Sequence, residues 1–457
     1  MAGIPLSRKK NGSDMTQGSI ALHLISFALP LLLGNIFQQL YNTVDTWVVG
    51  NFASNEAFSA VGSVGPIINV LIGLFMGLST GAGAVISQFF GARHLDRVRD
   101  TVHTAILMTA ILSVVFTVVG LLFTPAMLRL MKMPANVMPE ATTYLRIYFT
   151  GVTGLLFYNM GSAILRSIGD STRPFYFLVV AALLNSVLDL LFVAKFRMGV
   201  AGVAWATIIA QGVSALLVVR SLLRSEDAIR LEIRKLKIHW DVLKKIFRVG
   251  IPAALQLAVT SFSNVFVQSY INYFGDNFMS GWTAFSKINQ LVILPMQSLS
   301  LSITTFVGQN LGADQGARAK RGVGIAFALS SGTAALMLIP VMIFAPQLVG
   351  FFNPKPEVIV FGTQLLRIIS PFYLVYCVHD TLGGALRGAG NGKVPMIFTL
   401  LCFVAFRQLY LFVMANYICN DVIPIAMSFP AGWILSSTLV LIYFCRTKLT
   451  STRLVDA

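Results

Sequence analysis

Charge is what this chain has least of. Charged residues make up 11% of it, against roughly a quarter in an ordinary soluble domain. Acids are the scarcer half, with 18 Asp and Glu against 34 Lys and Arg. The four cysteines, Cys377, Cys402, Cys419 and Cys445, are scattered through apolar runs of the second half. No spacing among them fits a metal site or a disulfide framework, so they read as small apolar packing groups. The five histidines are dispersed. A phosphate-binding loop, a nucleophile elbow and a metal-type cluster are all missing. These absences argue against an ATP-driven pump and against an enzyme, and no cofactor is expected.

What is abundant is apolar sequence. The hydrophobic fraction is 56% and the mean hydropathy +0.76. Runs of about 20 apolar residues, long enough for a hydrocarbon core of about 30 Å, recur along the chain. In lipid the backbone must satisfy its own hydrogen bonds, so such runs imply helices. Twelve spans are expected, near 19–48, 56–84, 98–123, 139–163, 174–194, 199–222, 244–272, 278–306, 321–345, 357–383, 394–417 and 422–445. The class is an all-α integral membrane protein.

The net charge of +16 does not imply a nucleic-acid partner. With the N-terminus inside, 25 Lys and Arg fall in inside segments and five, Arg129, Lys132, Lys195, Arg197 and Lys355, in outside ones. This is the positive-inside rule, and it places both termini in the cytoplasm. The first span is too long for a signal-peptide core and is kept as a membrane helix.

The chain repeats itself. Pro30 and Asn42 of the first span match Pro252 and Asn264 of the seventh. SQFFGARHLDRVRD (87–100) matches GQNLGADQGARAKR (308–321), and ILRSIGDSTRP (164–174) matches ALRGAGNGKVP (385–395), at a constant shift of 221. Six spans per half make the repeats parallel, related by an axis along the membrane normal. The expected domains are a tail (1–18), an N-lobe (19–222), a basic linker (223–243), a C-lobe (244–445) and a second tail (446–457). Trp240, Leu243 and Phe247 share a helical face, which predicts an amphipathic helix lying on the anionic leaflet. Gly169 and Gly390 read as left-handed helix ends, with Pro174 and Pro395 opening the next helices.

Ionisable groups inside spans are functional candidates by default. The first half holds Asp45 and Asp189, with Asn185 one turn before Asp189 on the same face. At about 1.5 Å per residue, Asn185, Asp189, Thr207 and Asp45 all fall in the outer half of the first lobe. Two carboxylates, an amide and a hydroxyl offer hard oxygen ligands for a sodium ion, or a shared proton site. The matching positions of the second half hold Val267, Phe406 and Tyr410, which cannot build the same site. That half carries Lys287, Asp380 and Arg407 instead, and a Lys287–Asp380 pair is expected to offset the burial of both.

These features resemble the multidrug and toxic compound extrusion (MATE) transporters. The resemblance covers roughly residues 19–445 and rests on ALP…VDT in the first helix, the paired LR–G–P segments, Asn185-x-x-x-Asp189 and Thr207. It is nearer to the prokaryotic DinF-like branch than to the NorM-like branch, which uses an acid where Thr260 stands here. The resemblance implies the MATE fold, twelve helices in two pseudo-twofold lobes. It also implies a coupling-cation site for Na+ or H+ at Asp45, Asn185, Asp189 and Thr207, with a hinge at Pro30. The implied activity is antiport of small organic cations or drugs by alternating access, from a monomer in lipid of a bacterial plasma membrane. A lipid-linked precursor flippase of the same superfamily is the alternative; it would need several cavity arginines, for which only Arg407 and Lys287 are candidates.

Overall fold

A computed structural model describes residues 14–131, 133–225 and 228–455. Arg8, Lys9, Lys10 and Lys132 of the charge count lie outside them. Twelve helical spans fill the described chain. The first half comprises α1 (Ile20–Phe52), α2 (Asn55–Gly91), α3 (Leu95–Leu130), α4 in two segments (Met138–Thr150 and Val152–Ser167), α5 (Thr172–Lys195) and α6 (Gly199–Leu223). The second comprises α7 (Trp240–Asn272), α8 (Asp276–Gly312), α9 (Gly316–Ile343), α10 (Pro356–Gly388), α11 (Lys393–Ile418) and α12 (Val422–Arg446). Eleven are long and apolar enough individually to cross a membrane. The twelfth, α4, is interrupted at Gly151 and needs both segments to span. Large apolar side chains such as Val114, Leu122, Leu216 and Leu336 face outward, as lipid-facing residues must.

Each lobe has its own packed interior, one centred on α2 to α6 and one on α8 to α12. The pseudo-symmetry reaches the backbone. Gly169 and Gly390 adopt φ of 88° and 91°, the left-handed helix ends expected of them. Arg93 and Asp314, also 221 apart, both sit at φ 60°. Pro174 and Pro395 fall in the first turns of α5 and α11, where a missing N–H costs nothing.

The lobes meet along α2–α7 and its counterpart α1–α8, and where α2 crosses α8. That crossing is backbone on backbone. A Cβ on Gly91 would stand 1.9 Å from the Gln309 carbonyl oxygen, and one on Gly312 2.0 Å from that of Gln88. Gln88 Nε2 donates to the Gly388 carbonyl at 2.8 Å, and Gln309 Nε2 to that of Ser167 at 2.9 Å. Both chain tails dock at this end, here termed the basic face. The Met15 N–H donates to Gln309 Oε1 at 2.9 Å and the Leu454 N–H to Gln88 Oε1 at 2.7 Å. Ion pairs fasten each tail to a loop of its own lobe, Asp14 to Arg93 and Arg453 to Asp314, while the main-chain bonds reach the opposite one.

The interfacial linker helix is not formed. α7 starts at Trp240 and runs on into its span, and Leu243 with Val242 and Ile246 packs into the first lobe's core. Only Trp240 stays outside, at 69% exposed. The chain before it is tied down instead: the Glu232 N–H donates to His103 Nε2 and the His239 N–H to Thr104 Oγ1, both at 3.1 Å. The apolar face finds protein rather than lipid because Ile229 and Leu231 already draw the linker onto that core.

Candidate functional site

Between the lobes lies a cavity of about 700 Å³. Its walls come from both halves and include Pro30, Asn35 and Tyr41 of α1, Asn185 of α5, Thr207 of α6, Gln256 of α7 and Tyr376 of α10. At the basic end the α2–α8 crossing closes it. Toward the opposite face, Asn42 of α1 and Asn264 of α7 are exposed at matching positions. Amides on apolar helices do not face hydrocarbon without cost, so this exposure marks a wet cleft between the lobes. α1 runs unbroken through Pro30, whose ring removes the hydrogen bond to the Ser26 carbonyl and leaves a local weak point beside the cavity.

Asp45 and Asp189 are brought side by side. Each carboxyl is the other's titratable neighbour across α1 and α5. Asp189 is fully buried and Asn185, one turn away, is 2% exposed. Asp45 Oδ1, both amide atoms of Asn185 and both carboxyl oxygens of Asp189 are buried and receive no N–H or O–H from the rest of the described chain, the two carboxyls having each other. Buried polar atoms are nearly always paired. Polar atoms gathered in this way make the cluster a candidate site for a proton or a cation. Three carboxyl oxygens and an amide oxygen suit a hard cation, and two adjacent carboxyls suit a proton. Asp189 ends the α-helical part of α5, and a π-helical stretch, Leu190–Lys195, follows directly. Such widened turns recur at functional sites. Thr207 lines the same cavity; its hydroxyl donates to Val203 O at 2.9 Å and keeps its lone pairs free to accept.

Tyrosines complete the surroundings, and sequence reasoning missed them. Tyr41 and Tyr144 lie within electrostatic reach of Asp45, and Tyr144 stacks on Tyr148 with ring centres 6.2 Å apart. Their four-residue spacing in YLRIY was the available signal.

The second-lobe trio is not a single site. Lys287 is exposed and makes no ion pair with Asp380. Asp380 lies instead in the field of Arg387, seven residues on along the same face of α10. Helix rotation is the reason: α8 turns Asn289 and Ser300 toward the cavity and Lys287 away from it. Arg407 is 2% exposed and lies outside the cavity. It donates to Asn264 Oδ1 at 2.8 Å and lies 4.4 Å from the Phe429 ring centre. The cavity arginines are two others, Arg166 and Arg387, which the sequence assigns to basic-face turns.

This arrangement has known counterparts. The family model MatE matches residues 30–191 and again 252–410, once per half. The probable multidrug resistance protein YpnP of Bacillus subtilis is 29% identical over 86% of this chain and 88% of its own. The probable multidrug resistance protein YoeA of the same species is 27% identical over 99% of both. A solved MOP superfamily transporter from Pyrococcus furiosus superposes with a TM-score of 0.90 at 23% identity, over 96% of this chain and 98% of that one. A repeated span pattern, a cavity between two lobes and two matches to one family model lead to a single conclusion: the chain belongs to the MatE family.

Proposed function

We propose that the protein is a secondary active efflux transporter that exchanges Na+ or H+ for drug-sized organic molecules by alternating access. One observation carries this reading: a buried polar cluster of Asp45, Asn185 and Asp189 borders a cavity that both lobes share. The multidrug resistance relatives support it. The cavity volume falls within the range of ordinary small-molecule sites, and its aromatic and amide walls suit flat amphiphiles. In this reading the basic face is cytoplasmic, the membrane is a bacterial plasma membrane, and the form described faces outward.

Coupling follows from charge. With no cation bound, the two buried carboxyls face each other and receive no donor from the rest of the chain. A cation entering from outside binds Asp45 and Asp189, with Asn185 and Thr207 supplying neutral oxygens. α1 then bends near Pro30 and the cavity reshapes, so that substrate leaves outward. An ion that changes an equilibrium this way must bind one conformation better than the other. The α1 bend is that difference.

The test is dye movement in proteoliposomes under a sodium gradient and a proton gradient imposed separately, on wild type and Asp189→Asn. Expected is movement driven by one gradient and lost in the variant, which keeps its expression. Full gradient-driven transport by Asp189→Asn would falsify the site assignment, and no movement in wild type would remove the antiport reading.

A further inference from the structure

The charges that line the cavity are not those of a cation receptor. Its lining contains three Asp, Glu, Lys or Arg side chains: Arg166, Asp380 and Arg387. Asp45 and Asp189 are not among the lining residues. At neutral pH the wall therefore carries one more positive charge than negative. Arg166 and Arg387 stand 221 residues apart, at the last turns of α4 and α10, one in each lobe. Neither forms an ion pair among the described residues. Arg387 Nη2 makes one long hydrogen bond to Ser300 Oγ at 3.3 Å. Asp380 tempers Arg387 from two turns back, but the matching position on α4 is Asn159, so Arg166 has no such acid.

Their bases are held in place. The residue after each arginine, Ser167 or Gly388, gives its carbonyl to a glutamine of the α2–α8 crossing. The backbone that carries each arginine is thus anchored at the basic end of the cavity while the crossing is closed. A guanidinium presents a planar fork of donors that matches a carboxylate or phosphate. Both arginines are half-buried in the cavity wall, where an anionic group on a cargo molecule can replace water as their partner.

We propose that the closed end of the cavity is a binding subsite for an anionic group, a carboxylate or phosphate, on an aromatic amphiphile. Arg166 and Arg387 grip it, one from each lobe, while the amide and aromatic walls hold the body of the molecule. This rests on the reading of the cavity as the transport path and names its substrate class: zwitterions and organic anions in preference to simple cations. The subsite is complete only when the two lobes close at the basic face, so cargo of this class favours closure behind itself.

The test uses the intact protein in nanodiscs and two rhodamine dyes with the same aromatic body, one with a free carboxylate and one with that group esterified. Binding is read by fluorescence anisotropy. Expected in wild type is a preference of tenfold or more for the acid over the ester. In Arg166→Gln and in Arg387→Gln the acid-to-ester ratio falls toward one. Arg166→Lys and Arg387→Lys keep the charge, lose the fork and give intermediate ratios; they also keep the test alive where a glutamine variant fails to fold. Equal binding of the two dyes by wild type overturns the proposal, as does an unchanged ratio in folded glutamine variants. Binding of the ester alone overturns the anionic subsite and leaves the transport reading standing. Binding of neither dye, together with no gradient-driven dye movement, removes both.

Discussion

Gln88 and Gln309 each hold the other lobe. Gln88 sits on α2 and bonds the end of α10; Gln309 sits on α8 and bonds the end of α4. Each also receives a main-chain N–H from a chain tail. The closed end of the molecule is therefore one arrangement made twice, about the pseudo-twofold axis.

Replacing either glutamine by alanine strands a carbonyl and an N–H in a buried crossing. An unsatisfied buried group costs about 1–3 kcal/mol, and about 1.4 kcal/mol is tenfold in a population. Gln88→Ala is expected to raise the share of molecules open at the basic face tenfold or more. A cysteine at Ser171, which lines the cavity, reports this through labelling by an impermeant maleimide from that side, with the exposed Cys419 and Cys445 replaced. A labelling rate equal to that of the parent would count against the latch.

Asn185 tests the proposed ion site without touching an acid. In that proposal its amide supplies one oxygen and no charge, so Asn185→Ala should weaken ion binding rather than abolish it. The ion concentration for half-maximal transport is expected to rise about tenfold, the effect of about 1.4 kcal/mol, with the maximal rate kept near wild type. A fall in maximal rate at an unchanged half-saturating concentration would place Asn185 outside the ion site.

Arg407 is expected to be a structural post rather than part of the coupling machinery. It is buried between Asn264, Phe403 and Phe429. Arg407→Ala leaves a void beside Phe403 and Phe429, at a cost of about 2–4 kcal/mol, and lowers the melting temperature in detergent. Arg407→Met fills the space and should recover much of that stability with gradient-driven transport intact. Loss of ion coupling in a stable Arg407→Met protein would contradict this view.

The docked N-terminal tail should be insensitive to pH across the physiological range. Partial burial pushes the Asp14 carboxyl upward, but hydrogen bonds from Thr16 and the Arg93 guanidinium outweigh it and hold the pKa below the ordinary value. A depressed folded-state pKa gives stability that is present above the unfolded value, near pH 4, and is lost only as pH falls through the folded value. Limited proteolysis of the tail is expected to be the same at pH 5.5 and pH 8, and faster in Asp14→Asn at both. Tail release between pH 8 and 5.5 would show another group in control.

The twelve spans were legible because long apolar runs have one solution in lipid, and the repeat because its shift is constant from Gln88 to Pro174 and their partners. Asp45 and Asp189 stood out because acids are rare in this chain. Their pairing was within reach from helical rise alone. The cavity arginines were not. LRSIGD and LRGAGN read locally as turns, and whether Arg166 and Arg387 face solvent or the cavity depends on helix rotation, which packing decides. Lys287 and Asp380 failed to meet for the same reason. The Trp240–Phe247 face was read as lipid-seeking because its amphipathic pattern is equally satisfied by lipid and by protein. Ile229 and Leu231, too few to show periodicity, settled it for protein.

The two tails carry one more consequence. Asp14 meets Arg93, while Arg453 meets Asp314, and positions 93 and 314 are equivalents. The duplicated loops have taken opposite signs, and each tail carries the complement of the loop it reaches. The charge match is thus settled inside each half, and what passes between the halves is a main-chain N–H to a glutamine, which any residue but proline can supply. Each tail is moored by its charge at home and stitched by its backbone abroad, so the strap across the crossing tolerates changes of side chain that its moorings do not.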